Sequence, residues 1–477
     1  MKKPLLLLLI LCIIIIIILC IRHCHCNPGP VTGNRTDSPS RAPQRIPDQL
    51  VVFYKHAPSP QDLTDLKKKI KDAGIDTLHI EVQRCENCTD TLMELWKTPH
   101  IETFVHAETV KGGASTGGGT HTVGEDDLGY YLPNYVINTP PEIIPKEPYR
   151  SRGQKFRTDT IYSHTADTVR VAILDTGIDP NLFFSYPQYF WVNKTEQANG
   201  ADEDSNCLKD DLKGWNFANG NNDITDDSRD GHGTRVALFI INEFQRNNTN
   251  ALQLLILKTH NKNSEGDMFN IMCAMSYAAS KKAKIINASW GFYSQYYFVS
   301  PYEPIDAIIT RIMASKGILV VTAAGNRIAA ADDSALHVGI APADLRNLDR
   351  HRFYPACFGG KPNNVLVVTS ANDTMVSPSQ NYSTTYTDLA VIADTLDEGS
   401  LKFKIPLVAG PPEYIAGSSY ATAIATGKIA ALFPMSSWPA PPSSPKKADV
   451  LSKLGTTVGN KTTLEHQVNG GKFIRHH

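Results

Sequence analysis

The sequence has 477 residues, of which 42% are hydrophobic and 20% are charged, and its formal net charge at pH 7 is −1. A chain of this length is expected to form two or three domains, and this composition is typical of a globular protein with ample material for a core. Because the charge is nearly balanced, no strong field attracts polyanions, and we expect no nucleic-acid partner.

The N-terminus is the most biased part of the chain. Lys2 and Lys3 precede an apolar run over residues 4–21, which is 18 positions long. A positive end followed by such a run is typical of an export signal, and the run is close to the roughly 20 apolar residues that span a bilayer. We therefore expect residues 1–22 to be a signal peptide or a membrane anchor. The rest of the chain would then be secreted or held on the outer side of the membrane.

Nine cysteines are present, and four of them lie within or beside the apolar segment. Cys85 and Cys88 form a C-x-x-C, which could be a local disulfide, half of a metal site or a redox pair. Because no second C-x-x-C is present to complete a zinc site, a structural or incidental pair is the favoured interpretation. We assign no metal ligand in this sequence.

Residues 23–48 are rich in Pro, Ser, Asn, Arg and Gly, which predicts a linker. Residues 49–107 then show a β-α-β-α-β pattern of small α+β type. Its predicted elements are a strand over 50–54, a helix over 61–73, a strand over 77–82, a helix over 90–96 and a strand over 101–105. A unit of this size is near the minimum for an independent fold, so we expect it to need a partner surface.

A Gly/Ser/Thr tract at residues 112–119 and the Pro-rich sequence after it predict a flexible linker over 108–158. From residue 159 to residue 471 the pattern changes to near-continuous apolar runs that alternate with helical segments. Such runs indicate a mainly parallel sheet covered by helices on both faces. In sheets of this kind, active sites gather at the carboxyl ends of the strands.

Three residues of complementary chemistry lie in this region. Asp175 directly follows an apolar strand, His232 lies between two glycines, and Ser419 is near the start of a helix of small residues. Each one alone is explained by ordinary turn, loop or cap chemistry. Together they provide a hydroxyl nucleophile, an imidazole base and a carboxylate that orients the imidazole. Their order along the sequence, Asp then His then Ser, is the order found in subtilisin.

The segments around these residues resemble the three signature blocks of the subtilase family: VAILDTGID (171–179), DGHGTRVA (230–237) and GSSYATA (417–423). The segment GWNFAN (214–219) is similar to the family's sequence ahead of its histidine. The resemblance implies a subtilisin-like three-layer α/β domain. It also implies a serine endopeptidase that hydrolyses polypeptides through an acyl-enzyme, with Asp175, His232 and Ser419 as its triad.

Two further segments carry the resemblance. AAGN (323–326) is similar to the family's oxyanion-hole segment, which implies that Asn326 donates its side-chain amide to the oxyanion beside the backbone N–H of Ser419. INASWG (286–291) resembles the strand that pairs with an extended substrate. The substrate-binding residues implied by these two segments are Ser289, Trp290, Gly291, Ala324 and Gly325.

The region 49–107 is similar in pattern and position to subtilase propeptides, which act as intramolecular chaperones and transient inhibitors. The resemblance therefore implies a zymogen, cleaved between residues 108 and 160. The signature blocks also depart from the family at four positions, which bear on pocket shape and rate. These are Arg235, Leu238, Tyr420 and Ala423.

Two other functions fit the same pattern. One is a catalytically silent surface protein on the same fold, and the other is an esterase or transacylase that uses the same machinery. The chemistry requires no cofactor. The acidic stretch over residues 202–230 could hold a structural Ca²⁺, which prefers oxygen ligands, but a solvated acidic loop is the favoured interpretation.

Overall fold

A computed structural model of the protein describes most of the region from residue 44 to residue 476. The described ranges are 44–88, 92–105, 126–139, 168–246, 251–293, 303–327, 342–406, 411–432, 438–441, 443, 445–454 and 459–476. None of the helices within these ranges is both long and apolar enough to cross a bilayer. The predicted signal or anchor over residues 1–22 lies outside the described residues, as does the Gly/Ser/Thr tract.

The strands, in sequence order, are β1 (Arg45–Tyr54), β2 (Glu81–Arg84), β3 (Met93–Lys97), β4 (Gly129–Asn138), β5 (Thr168–Asp175), β6 (Gly214–Asn216), β7 (Ala251–Lys258), β8 (Glu265–Asp267), β9 (Ile285–Ala288), β10 (Phe292–Tyr293), β11 (Leu319–Ala323), β12 (Phe353–Tyr354), β13 (Val365–Ala371), β14 (Leu389–Ile392), β15 (Thr395–Asp397), β16 (Ser400–Lys404), β17 (Tyr414–Ala416), β18 (Gly459–Asn460) and β19 (Lys472–Arg475). The α-helices are α1 (Pro60–Asp72), α2 (Pro180–Ser185), α3 (His232–Arg246), α4 (Met268–Ser280), α5 (Glu303–Ala307), α6 (Pro342–Leu345), α7 (Ser418–Leu432) and α8 (Lys447–Lys453), and a π-helical segment, Ile308–Met313, follows α5.

The largest sheet has nine strands in the order β18-β19-β14-β13-β11-β9-β5-β7-β6. All its neighbouring strands run parallel except β18, which is antiparallel to β19. The central strand β5 pairs with β7 and β9 in a register that sets Val171 opposite Leu254 and Ile285. This sheet confirms the predicted α/β fold with a mainly parallel sheet.

Alternate side chains of β5 enter two separate cores, because successive residues of a strand point to opposite faces. Val171 and Ile173 belong to the core that contains residues of α3 and α7. Ala172 and Leu174 belong to the core that contains residues of α4. Both faces of the sheet are therefore buried, which explains why its strands are almost continuously apolar.

A second sheet contains β1 to β4 and also β8, which lies between two strands of the large sheet, β7 and β9, along the sequence. Its order is β2-β3-β1-β4-β8, and every pair in it is antiparallel. Helix α1 begins at a capping box formed by Ser59 and Asp62, and it buries Leu66 and Ile70. These elements confirm the predicted first strand and first helix, although β1 begins at Arg45, inside the predicted linker over 23–48.

Two other predictions for this region are wrong. The sequence predicts a helix over residues 90–96, but Met93–Lys97 is strand β3. It predicts a strand over residues 101–105, but Ile101–Thr103 is a turn of 3₁₀-helix. Short apolar runs fit either element, and here pairing with β1 on one side and β2 on the other decides for a strand. The predicted strand over 77–82 is displaced to Glu81–Arg84.

The predicted flexible linker over 108–158 contains strand β4, so that prediction is wrong for residues 129–138. This strand pairs with β1 on one side and with β8 on the other. Pro133 and Asn134 interrupt its apolar pattern and obscure the strand in the sequence. Nine of its ten residues are buried or half-buried, and only Asn138 is exposed. Its side chains enter two core clusters, since Leu132 and Ile137 belong to one and Tyr131 to the other.

The two cysteines of the C-x-x-C are not bonded to each other, which rules out a local disulfide, one of the three alternatives left open for this pair. Cys85 is bonded to Cys273 in α4, and Cys88 is bonded to Cys207. Both bonds join the N-terminal domain, defined here as residues 44–139, to the C-terminal domain, residues 168–476. Cysteines so far apart in sequence reveal their pairing only when the fold brings them together.

Candidate active site

Asp175 and His232 form the core of the candidate site. Asp175 is the last residue of β5 and His232 is the first residue of α3. His232 Nδ1 lies 2.6 Å from Asp175 Oδ1, and both side chains are buried. Because a carboxylate only accepts hydrogen bonds, Nδ1 carries the proton and Nε2 is the basic nitrogen. The same Asp175 oxygen accepts the Thr176 backbone N–H at 2.7 Å, which holds the carboxylate at the strand end.

The close approach of the end of β5 to the start of α3 depends on Gly233. A Cβ atom at this position would collide with the backbone oxygen of Gly177 and would lie 3.2 Å from Asp175 Cβ. The Gly233 N–H instead donates to Thr176 Oγ1 at 2.9 Å. The glycine after the histidine is therefore required for the start of α3 to lie against the end of β5.

Ser419 is the second residue of α7 and is fully buried. Its Oγ has no hydrogen-bond partner among the residues that the structure describes. Its backbone oxygen accepts the Ser289 hydroxyl at 3.2 Å. The ring of the next residue, Tyr420, lies 5.9 Å from the His232 ring between centroids, so the start of α7 and the start of α3 are adjacent.

Asn326 lies just after β11 and faces the start of α7. Its Oδ1 accepts the Ser418 backbone N–H and the Ser418 hydroxyl, each at 2.9 Å. A backbone N–H can only donate, so this contact determines which end of the side chain is the carbonyl. The amide nitrogen is buried and lacks a partner within the described part of the protein. It is therefore available to an acceptor that the protein does not provide.

The predicted substrate strand is already paired with another part of the protein. Gly291 and Asn138 exchange two backbone hydrogen bonds, of 2.9 Å and 3.3 Å. On its other side, β4 pairs with β8, with Ile137 opposite Gly266 and Asn138 opposite Glu265. The end of β4 thus lies between two backbone edges.

The other predicted substrate-binding residues surround this strand. Trp290 and Ala324 are fully buried in the same core cluster as Ile137. Gly325 has a φ of 94° and donates its N–H to Ser418 Oγ at 3.1 Å. These contacts bring the two predicted segments, 286–291 and 323–326, to the same end of the sheet as Ser419.

Lys258 and His260 also belong to the site, and sequence reasoning missed both of them. The His260 backbone N–H donates to the backbone oxygen of Asp175 at 3.2 Å. Its ring is fully buried, and burial lowers the pKa of His260 to about 4, which keeps the ring neutral beside the imidazole of His232. Lys258 Nζ donates to the backbone oxygens of Thr176 at 2.7 Å and Thr225 at 2.8 Å. Lys258 and His260 come at the end of the apolar run of β7, as Asp175 comes at the end of the apolar run of β5. A polar residue at the end of an apolar strand is therefore the sequence signal that could have identified both.

Two carboxylates of the acidic stretch over 202–230 lie close enough to Glu196, just before it, to share an ion. Glu196, Asp202 and Asp204 offer oxygen atoms within 4.8 Å of one another. The ammonium group of Lys281 pairs with Asp204 and lies 3.3 Å from Asp211, so part of this negative charge is already compensated. Calcium binding by this protein stays a prediction.

Comparison with known proteins identifies the family of the chain. The peptidase S8 model, which describes the subtilase family, matches residues 166–469. The chain therefore belongs to the subtilase family, whose members are serine-type peptidases.

Several known proteins are similar to the chain. It is 29% identical over 248 residues to subtilisin-like protease 1 of Plasmodium vivax, covering 49% of this chain and 36% of that protein. It is 27% identical over 179 residues to subtilisin-like protease 1 of Plasmodium berghei (strain Anka), covering 35% of this chain and 28% of that protein. The chain thus spans about a third of the length of these curated relatives. The crystal structure of fervidolysin from Fervidobacterium pennivorans aligns with a TM-score of 0.49 at 14% identity, over 92% of this chain and 63% of that one.

Proposed function

We propose that this protein is a serine endopeptidase that hydrolyses polypeptides through an acyl-enzyme. Ser419 is the nucleophile, His232 is the general base and acid, and Asp175 orients the imidazole. The buried 2.6 Å contact between Asp175 and His232, next to the start of the helix that carries Ser419, is the observation that supports this proposal most directly.

The proposed reaction follows from these positions. Ser419 Oγ attacks the substrate carbonyl while its proton moves to His232 Nε2, and the resulting imidazolium is stabilised by the Asp175 carboxylate. The negative charge on the carbonyl oxygen is accepted by the Asn326 amide and the Ser419 backbone N–H. When the peptide C–N bond breaks, His232 gives its proton to the leaving amine. Water then attacks the acyl-enzyme. His232 takes a proton from this water and gives it to Ser419 Oγ as the bond between Ser419 and the acyl group breaks.

We further propose that the protein is made as an exported zymogen, with the N-terminal domain as its inhibitor and with residues 1–22 as signal peptide or anchor. The pairing of Asn138 with Gly291 supports the inhibitory role, because it occupies the edge on which an extended substrate would bind. Cleavage at a peptide bond that follows Thr139, within the expected range of 108–160, would separate this strand from the backbone of the C-terminal domain, residues 168–476, which we call the catalytic domain.

Two alternatives use the same fold. A silent scaffold predicts that one of the residues Asp175, His232, Asn326 and Ser419 is replaced, and all four are present. An esterase or transacylase would react with a fluorophosphonate, as a peptidase would, but would turn over esters and leave polypeptides intact. Fluorophosphonate labelling together with casein hydrolysis therefore distinguishes the three functions.

The proposal is tested by expressing residues 27–477 and the Ser419→Ala variant and following protein size and casein hydrolysis over time. We expect only the wild-type protein to shorten on a reducing gel, and we expect the Ser419→Ala variant to stay intact and inactive. Casein hydrolysis is measured with a reductant present as well as without one. If a folded wild-type protein neither cleaves itself, nor digests casein, nor reacts with a fluorophosphonate under either condition, the proposed activity is wrong.

A further inference from the structure

We propose that backbone cleavage does not release the N-terminal domain, and that its release requires reduction of both disulfides that join it to the catalytic domain. This inference rests on the proposed function, since it concerns removal of the inhibitory strand from the same site. It adds a reductive step to activation, with a thiol reductant as the co-reactant.

The connectivity is the first argument. Cys85 is bonded to Cys273 and Cys88 to Cys207, with sequence separations of 188 and 119 residues. Both bonds span the stretch after Thr139 in which cleavage is proposed. A cut there leaves two fragments that are still joined at two points.

The tether has a direct effect on inhibition. A detached inhibitor domain is lost on dilution, whereas a tethered one faces its site at an effective concentration that is commonly in the millimolar range. The tethered domain also keeps β4 paired with β8 on one side and with Gly291 on the other. Backbone cleavage alone would therefore leave the substrate edge occupied.

The two disulfides differ in their accessibility. Cys88 and Cys207 are exposed, whereas Cys85 and Cys273 have relative exposures of only 3% and 1%. A reducing thiolate has to reach a sulfur atom of the bond that it attacks. We therefore expect Cys88–Cys207 to be reduced first and Cys85–Cys273 to be reduced only after the domain interface opens.

Contacts around the C-x-x-C shield the inner bond. Glu86, between the two cysteines, accepts the Trp215 indole N–H at 2.6 Å, and burial raises the pKa of its carboxyl. The Cys88 backbone N–H donates to the backbone oxygen of Asn206 at 3.2 Å. These bonds hold the two domains together at this position, so reduction of the outer bond alone leaves the domain docked.

The chemistry of release is ordinary thiol–disulfide exchange. A thiolate of a dithiol reductant attacks one sulfur of the disulfide and expels a cysteine thiolate, which takes up a proton. The second thiol of the reductant then attacks the mixed disulfide, expels its remaining cysteine and becomes oxidised. Each bond takes up two electrons, so two dithiols are converted to two disulfides while four cysteine thiols form.

Reduction is expected to activate the enzyme rather than to unfold it. Among the described residues, no disulfide lies within the catalytic domain, and Cys357 is a free cysteine. A reductant therefore breaks the links to the inhibitory domain without cutting any described cross-link that holds the catalytic domain itself.

The experiment follows matured wild-type protein on reducing and non-reducing gels, with hydrolysis of a fluorogenic peptide measured before and after dithiothreitol. We expect one joined species without reductant and two fragments with it. We expect hydrolysis to rise by about 100-fold or more on reduction, the lower end of what tethering commonly contributes. Separate fragments on the non-reducing gel, or equal hydrolysis by the joined and reduced forms, would overturn the proposal.

Variants assign the effect to each bond. The Cys88→Ser/Cys207→Ser protein should stay joined and still need reductant. The variant in which Cys85, Cys88, Cys207 and Cys273 are all changed to serine should hydrolyse peptide without reductant. Cys357→Ser is the matched control and should respond to reductant as the wild type does. If Cys88→Ser/Cys207→Ser is fully active without reductant, the inner bond does not retain the domain.

Failure of the proposed function has a different signature. A protein without peptidase activity shows no hydrolysis and no fluorophosphonate labelling in any form, including the reduced one. In that case the Ser419→Ala protein, cut within residues 140–167 by an added protease, still tests the tether. Its two fragments should stay joined on a non-reducing gel, and their separation there would contradict the proposed retention.

Discussion

At the residue scale, Asn326 and Ser419 are buried residues that each leave one side-chain polar atom without a hydrogen-bond partner in the described part of the protein. Asn326 fixes its Oδ1 on Ser418 and leaves its amide nitrogen without a partner in the described ranges. Ser419 Oγ is likewise buried without a partner there. An unpaired buried polar group costs about 1–3 kcal/mol of stability. Such a cost is understandable if the partner is a transition state that forms only during the reaction.

This arrangement predicts the effect of removing the Asn326 amide. Asn326→Ala should lower kcat by about 100- to 1000-fold with little change in KM, because the interaction forms mainly in the transition state. Steady-state kinetics of the reduced, matured enzyme measure both constants. Asn222→Ala, which changes an exposed asparagine, is the matched control. An unchanged kcat for Asn326→Ala would exclude this residue from the oxyanion hole.

His260 predicts how stability depends on pH. Its pKa is lowered from 6.5 to about 4 in the folded protein by burial, so the unfolded protein binds the proton more readily between these values. The free energy of unfolding should therefore fall as the pH decreases from about 6.5 to about 4. At pH 5, protonation of this residue in the unfolded protein lowers the free energy of unfolding by about 2 kcal/mol relative to pH 7.

Thermal unfolding of the Ser419→Ala protein at pH 7 and pH 5 measures this effect without self-digestion. Adding His260→Gln should reduce the loss of Tm on acidification. His466→Gln replaces an exposed histidine and should leave that loss unchanged. Equal acid sensitivity in the His260→Gln protein and its parent would show that His260 is not the titrating group.

At the element scale, the position of the site depends on two helices, α3 and α7, that carry His232 and Ser419. They pack on each other where Gly427 meets the backbone of α3. A Cβ atom at Gly427 would lie 2.5 Å from the backbone oxygen of Ile240 and 3.0 Å from Glu243 Cβ. The contact allows the two helix starts to lie side by side, as the ring contact between Tyr420 and His232 requires.

Gly427→Ala should therefore push the two helices apart. Overpacking of this kind costs about 1–3 kcal/mol, so we expect a lower Tm, and kcat should also fall because His232 and Ser419 move relative to each other. Gly399→Ala is the control: it also replaces a glycine, but a Cβ there meets nothing within 4 Å. It should lower Tm slightly, because its φ is 72°, and should leave kcat unchanged. A Gly427→Ala protein with wild-type Tm would contradict the described packing.

At the scale of the whole molecule, the N-terminal domain completes surfaces of the catalytic domain. Strand β4 covers the edge of β8, and the ring of Tyr135 stacks on Phe292 with centroids 6.2 Å apart. Asn134 also accepts the backbone N–H of Phe269 at 3.1 Å, near the start of α4. Without the domain, these backbone groups and apolar surfaces would be exposed to solvent.

Expression of residues 160–477 alone should therefore give little soluble, active protein, because an uncovered strand edge and apolar surface favour aggregation during folding. Supplying residues 44–139 as a separate polypeptide should increase the soluble yield. The same polypeptide with Val51→Asp, which places a charge in its buried centre, is the control and should not do so. A soluble, active catalytic domain made without any partner would show that the N-terminal domain is dispensable for folding.

The sequence by itself determined those features that depend on local pattern. The apolar runs predicted the parallel sheet, and the three signature blocks with the three further segments that resemble the family indicated the family; both are confirmed. The triad roles of Asp175, His232 and Ser419 stay predictions, although the first two are in contact. These features can be predicted because strand periodicity and loop chemistry depend on residues that are neighbours in the sequence.

Only the tertiary structure decided the remaining features. Residues 93–97 are a strand because β1 and β2 flank them, and β4 is a strand because β1 and β8 do. Cys85 and Cys88 take separate partners because the fold brings Cys273 and Cys207 to them. In each case the deciding interaction joins residues that are distant in sequence. The free energy of that interaction depends on which surfaces meet in three dimensions, and a local sequence pattern does not predict which surfaces meet.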